Sequence, residues 1–148
     1  MSRLPAVLLL SLALSACRGE DSDLPPAYRR LEVPEEHLRS SEVRARGRQL
    51  FVRNCALCHG ERADGRGARS EGLARRPADF THPAWRGRAS PRRVFYALRE
   101  GVRGTPMPSF RGAFDEDKTW DLVAYVLSVA AGGHAEAREL PKTNEPTE

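Results

Sequence analysis

Apolar residues recur at helical spacing in three separate stretches of the chain. Val43, Gly47, Leu50 and Phe51 fall on one face of a first helix. Ser90 and Pro91 form an N-cap and first-turn pair, and Gly101 closes the segment that they open. Within it Val94, Phe95 and Leu98 share a face. Asp115 caps a last helix, with Glu116 and Asp117 suited to its positive end. Trp120, Val123, Ala124, Leu127 and Ala131 are its expected buried stripe, and Gly132-Gly133 its stop. No alternating run has the length of a useful strand. The pattern predicts an all-α fold of three main helices and long loops.

The apolar run from Leu4 to Leu14 behaves differently, because it is apolar on every side. It follows Arg3 and spans 11 residues, against about 20 for a membrane-crossing helix. It reads as an export signal over residues 1–16. The signal ends in Leu14-Ser15-Ala16-Cys17, which resembles the lipobox of bacterial lipoproteins. That resemblance implies cleavage before Cys17 and a lipid on its sulfur, so the anchor is acyl chains and not protein. Arg18, where inner-membrane retention signals resemble Asp, points to the outer membrane. Residues 17–40 carry Pro25, Pro26, Pro34, many charges and little periodicity, and are expected to be a flexible tether with His37 solvated. The domain is then 41–133, and the tail 134–148 is expected to be disordered.

Charge divides the chain in the same places. Residues 44–111 hold 16 basic and 5 acidic side chains, 18–43 hold 4 and 7, and 112–148 hold 3 and 8. The formal net charge of +4 conceals an Arg-rich middle between acidic ends. Export and the lack of a recognition motif exclude nucleic acid as its reason.

The most specific feature is Cys55-Ala56-Leu57-Cys58-His59. Cys-x-x-Cys-His reads as a c-type haem attachment site. Two thiols one helical turn apart each add to a porphyrin vinyl group, and the adjacent imidazole serves as proximal iron ligand. Rival readings of the same residues are a thiol–disulfide oxidoreductase, a zinc site and a structural disulfide. The first needs a βαβ setting, the second a fourth ligand from His82 or His134, and the third gains little from so short a loop.

Export removes Met1 and leaves Met107 as the only methionine, in Gly104-Thr105-Pro106-Met107-Pro108-Ser109-Phe110. Prolines on both sides forbid a helical core position and fix an extended loop. A methionine held in that way fits a second axial ligand. His82, in Phe80-Thr81-His82-Pro83, is the competitor, and a His pair would give a lower potential than Met/His.

With these residues in view the chain resembles the class I c-type cytochromes, the small bacterial monohaem kind, over about residues 41–131. The resemblance implies the cytochrome c fold around one covalent haem c with its iron. It implies that Gly47 lets the first and last helices approach closely, with Phe51 packed on the Trp120–Tyr125 face. The loop after His59, with Gly60, Ala63, Asp64, Gly65, Arg66 and Gly67, fits the family, as does Arg76-Pro77-Ala78-Asp79-Phe80. It also implies a loop proline whose carbonyl accepts the other N–H of the proximal imidazole, and Pro77 is the candidate.

The expected function is that of an exported electron carrier and not of an enzyme, with no small-molecule substrate. Two alternatives are a haem-bearing accessory subunit of a terminal oxidase or other respiratory complex, and a gas sensor in which Met107 dissociates. The arginines admit two readings: steering of a redox partner that is acidic at its docking site, or neutralisation of haem propionates.

Overall fold

The computed structural model describes residues 21–132. The export signal, Cys17 and the tail 134–148 lie outside them. Seven helices occur among the described residues: α1 Pro26–Arg29, α2 Glu35–Arg39, α3 Ser41–Asn54, α4 Ala56–His59, α5 Pro83–Arg86, α6 Pro91–Glu100 and α7 Glu116–Ala130, with a 3₁₀ turn at Ser70–Gly72. No strand is present among the described residues. The fold is all-α, and α3, α6 and α7 are the three long helices expected.

The helix ends follow from their caps. The Ser40 hydroxyl accepts the Val43 amide of α3, the Ser90 hydroxyl accepts the Arg93 amide of α6, and the Asp115 carboxylate accepts the Lys118 amide of α7. Gly101 ends α6.

The core is organised on α7, against which α2, α3, α5 and α6 all pack. The α3–α7 contact is the tightest. A Cβ added at Gly47 would lie 2.6 Å from the Asp121 carbonyl carbon and 2.9 Å from the Tyr125 Cβ, and closer still to the Asp121 carbonyl oxygen. The Phe51 ring sits 5.1 Å from the Tyr125 ring, as the resemblance implied.

On α7 itself the expected stripe is too narrow. Thr119 through Val126, Val129 and Ala130 are buried, whereas Leu127 is half-buried and Ala131 is exposed. A helix covered from several sides has no single apolar face.

The expected tether is also corrected. Residues 21–40 are packed on the domain. Leu24 is buried, and Tyr28, Leu31, Val33 and Leu38 pack against the core. Asp21 accepts the Ser90 hydroxyl, Arg93 donates to Asp23 at 2.9 Å, and Arg92 Nε donates to the Leu31 carbonyl at 2.9 Å. Tyr28 meets Tyr96 edge-on at 4.8 Å and bonds Glu100 and Arg111 through its hydroxyl.

His37 is likewise not solvated in the way expected. Its Nε2 lies 2.8 Å from Oδ1 of the buried Asp121, whose carboxylate also accepts Arg46 Nε at 2.8 Å and Nη2 at 3.1 Å. A buried carboxylate needs such partners, and they come from α2 and α3, 84 and 75 residues away along the chain. The reason for the miss is that the segment's apolar residues have no period of their own. Its acids find their arginines only after folding.

Candidate functional site

Cys55 caps the four-residue helix α4, whose last residue is His59. The loop behind it fixes this turn. The amides of Gly65, Gly67 and Arg69 donate to the carbonyls of His59, Cys58 and Leu57, at 2.8, 3.1 and 2.9 Å. Gly67 is required for the approach: a Cβ there would stand 2.6 Å from the Cys58 carbonyl carbon and nearer still to two carbonyl oxygens. The motif is therefore held by backbone on one side, while Leu57 is 52% exposed.

His59 Nδ1 lies 3.1 Å from the carbonyl oxygen of Ala78. Donation of Nδ1–H to that carbonyl leaves the Nε2 lone pair for a metal. Burial lowers the imidazole's affinity for a proton, with the Ala78 bond opposing it, so the neutral ring is favoured. The ring stacks on Phe80 at 4.8 Å with 13° between planes, and Phe51 lies 6.3 Å away. The expected acceptor was Pro77. Its carbonyl faces Gly65 instead, 2.8 Å from where a Cβ would stand. The acceptor is the carbonyl one residue further along the same loop.

The two cysteines are free and half-buried. Burial, with Cys58 adjacent, pushes the Cys55 thiol up to about 12. A thiol-exchange enzyme needs the opposite shift, toward thiolate. His134, one candidate fourth zinc ligand, lies outside the described residues. Among the described residues no three His, Cys, Asp or Glu side chains gather as a metal cluster. Two separate cysteines beside an imidazole with one fixed nitrogen are the donor set that covalent haem attachment uses.

Met107 stands in the loop between α6 and α7, half-buried against the core. The loop grips it by the backbone: its amide donates to Thr105 Oγ1 at 3.2 Å and its carbonyl accepts the Val102 amide at 3.2 Å. The Phe110 amide then closes the loop onto the Leu98 carbonyl at 2.9 Å. His82 is engaged elsewhere. Its exposed ring caps α5, Nδ1 accepting the Ala84 amide at 3.1 Å. Sequence reasoning missed Ala78 and Phe80 as the residues that orient His59. Phe80 carried a signal, since it lies in the same family-like segment, Arg76-Pro77-Ala78-Asp79-Phe80, as Pro77.

The chain compares with known proteins as follows. No curated protein matches it. Among solved structures it is similar to a chain of the reducing HAO-like protein complex of Kuenenia stuttgartiensis, at 29% identity and a TM-score of 0.55. The likeness covers 61% of this chain and 44% of that one, so the chain spans less than half that relative's length. Residues 42–126, more than half the chain, match the family model described as cytochrome c oxidase, cbb3-type, subunit III. The donor set, the all-α fold and this match agree: the chain belongs to that family of c-type cytochromes, and is an electron-transfer protein bearing covalent haem c with its iron.

Proposed function

We propose that the protein is an exported, lipid-anchored monohaem carrier of single electrons. Cys55 and Cys58 would hold the haem, and His59 and Met107 would be the ligands of its iron. The observation that carries this reading is the His59–Ala78 bond beside the two free cysteines of the Cys-x-x-Cys-His turn. Haem c, when bound, supplies an iron that accepts and returns one electron. Each thiol would be joined to the haem by addition to one vinyl group, with no atom lost. The Ala78 carbonyl holds the proton of His59 Nδ1 and makes Nε2 the better donor. The 101–110 loop presents the Met107 thioether, and with both ligands in place no position remains for a substrate. The ferrous protein should therefore leave its spectrum unchanged under carbon monoxide at neutral pH. Ready binding would favour the sensor instead.

The lipobox-like Leu14-Ser15-Ala16-Cys17 supports a periplasmic location with acyl chains on Cys17, and Arg18 supports the outer membrane. The protein exchanges electrons with redox protein partners. Arg66, Arg69, Arg75 and Arg76 are exposed on the loop that follows His59, which supports a partner acidic at its docking site. Reduction rates should then fall about tenfold or more between low and physiological salt. Salt-independent rates would assign these arginines to the propionates.

A second reading makes the chain a haem-bearing subunit of a respiratory complex. It is favoured by the family description and by the similarity to a chain from a multi-protein complex. Co-purification with membrane enzyme subunits in mild detergent separates it from a free shuttle.

A further inference from the structure

We propose that residues 21–40 are a strap that turns the lipid anchor into a short leash and sets the surface around Ser90 against the bilayer. The inference rests on the reading that Cys17 is lipidated. Three observations carry it.

The first is where the packed chain begins. Asp21 is bonded to Ser90 and lies 3.6 Å from Arg92 and 3.7 Å from Arg93. Asp23 pairs with Arg93, Leu24 is buried, and the following residues are tied to α6 and α7 through Tyr28, Leu31 and His37. These contacts spread along the whole segment, so release of any one leaves the others.

The second is the length left over. Four steps of chain separate Cys17 from Asp21 and reach at most ~14 Å. A free tether of residues 17–40 would reach roughly 75 Å when extended. Docking therefore removes most of the reach. It also selects which part of the domain comes nearest the membrane, namely the α5–α6 turn and the start of α6.

The third is charge. Arg86 and Arg88 are exposed on the turn that leads to Ser90, and Arg92 and Arg93 keep about a third of their side chains accessible. Asp21 and Asp23 offset two of these four. The remainder is positive and suits the anionic headgroups of a phospholipid surface. The arginines nearest the anchor thus serve the membrane, whereas those on the loop after His59 stay available to a protein partner. Electrons must then be exchanged with proteins that move in the membrane plane or come to it.

The test uses the holoprotein with its lipid, in vesicles of phosphatidylethanolamine and phosphatidylglycerol and in detergent. Intact mass establishes the acyl chains on Cys17, and a chain without them overturns the lipid reading and the leash with it. With the lipid present, backbone amides at 86–93 should exchange about threefold or more slowly in vesicles, with 55–76 unchanged. Equal exchange in both media, or slowing over 55–76, overturns the leash alone. If Arg86→Glu/Arg88→Glu slows reduction by an acidic partner while vesicles leave 86–93 unchanged, the surface docks protein and the proposal fails. The strap variant Leu24→Asp/Tyr28→Ala/Leu31→Asp, which loosens the segment without adding positive charge, should keep the haem spectrum and lose the slowing at 86–93. Retained slowing in that variant would show that the strap does not orient the domain.

Discussion

Replacement of Gly47 by Val should unfold the domain or lower its stability by about 4 kcal/mol, although Gly is among the poorest helix formers. The position lies inside α3, where Val43 and Phe51 are buried on the same face. Even a single Cβ would enter the backbone of α7 at Asp121 and press on Tyr125. Backbone cannot move aside as a side-chain tip does, so the two helices must separate. Separation exposes Phe51 and Tyr125 and loosens the Arg46–Asp121 pair that bridges the same helices. Gly47→Ala is the sharper form of the test. It gains about 1 kcal/mol in helix propensity and should still lose about 3 overall. A denaturant midpoint followed by circular dichroism measures both variants. A Gly47→Ala midpoint equal to the parent's would show that the close approach is not what holds α3 to α7.

The second large effect is expected at Met107. Met107→Ala should abolish the weak far-red band of the ferric protein and lower the reduction potential, because the thioether ligand that raises it is gone. Met107 also packs half-buried against the core, so its truncation should cost about 2 kcal/mol for reasons unrelated to ligation. Met107→Leu separates the two contributions. It should restore most of the stability and none of the band. His82→Ala is the complement: the band stays, and about 1 kcal/mol is lost with the α5 cap. A parent protein that lacks the band, or a His82→Ala variant that loses the low-spin spectrum, would overturn the Met107 assignment.

The parts of the molecule that were legible in the sequence are those set by local rules. The three long helices, the caps at Ser90 and Asp115 and the buried faces of α3 and α6 follow from period and capping alone. Cys55, Cys58 and His59 were legible because the chemistry needs that spacing. What was not legible depends on partners distant in the chain. Asp121 carries no signal of its own in the sequence; α2 and α3 bring His37 and Arg46 to it only in the fold. The 21–40 segment has no periodicity of its own, and its order comes from complementarity to α6. The shift of one residue between Pro77 and Ala78 has a smaller cause: an irregular loop gives no sequence signal for which carbonyl reaches the imidazole.

The charge asymmetry also takes on a more definite meaning. The acidic N-terminal segment is not a remote counterweight to the basic middle. Asp21 and Asp23 neutralise Arg92 and Arg93 directly, and Asp121 of the acidic C-terminal part does the same for Arg46. The arginines left exposed are concentrated on the loop after His59 and on the turn before Ser90. A field from those groups acts over roughly a Debye length, about 8 Å at physiological salt.

The most direct test of the central claim is the mass of the tryptic peptide 54–62, which contains Cys55, Cys58 and His59 between cleavages after Arg53 and Arg62. From protein matured in a cell that makes c-type cytochromes, the account predicts this peptide heavier by one whole haem, with both thiols unavailable to alkylation. A peptide of unmodified mass with two reactive thiols would contradict it. So would one lighter by two hydrogens, as in a Cys55–Cys58 disulfide.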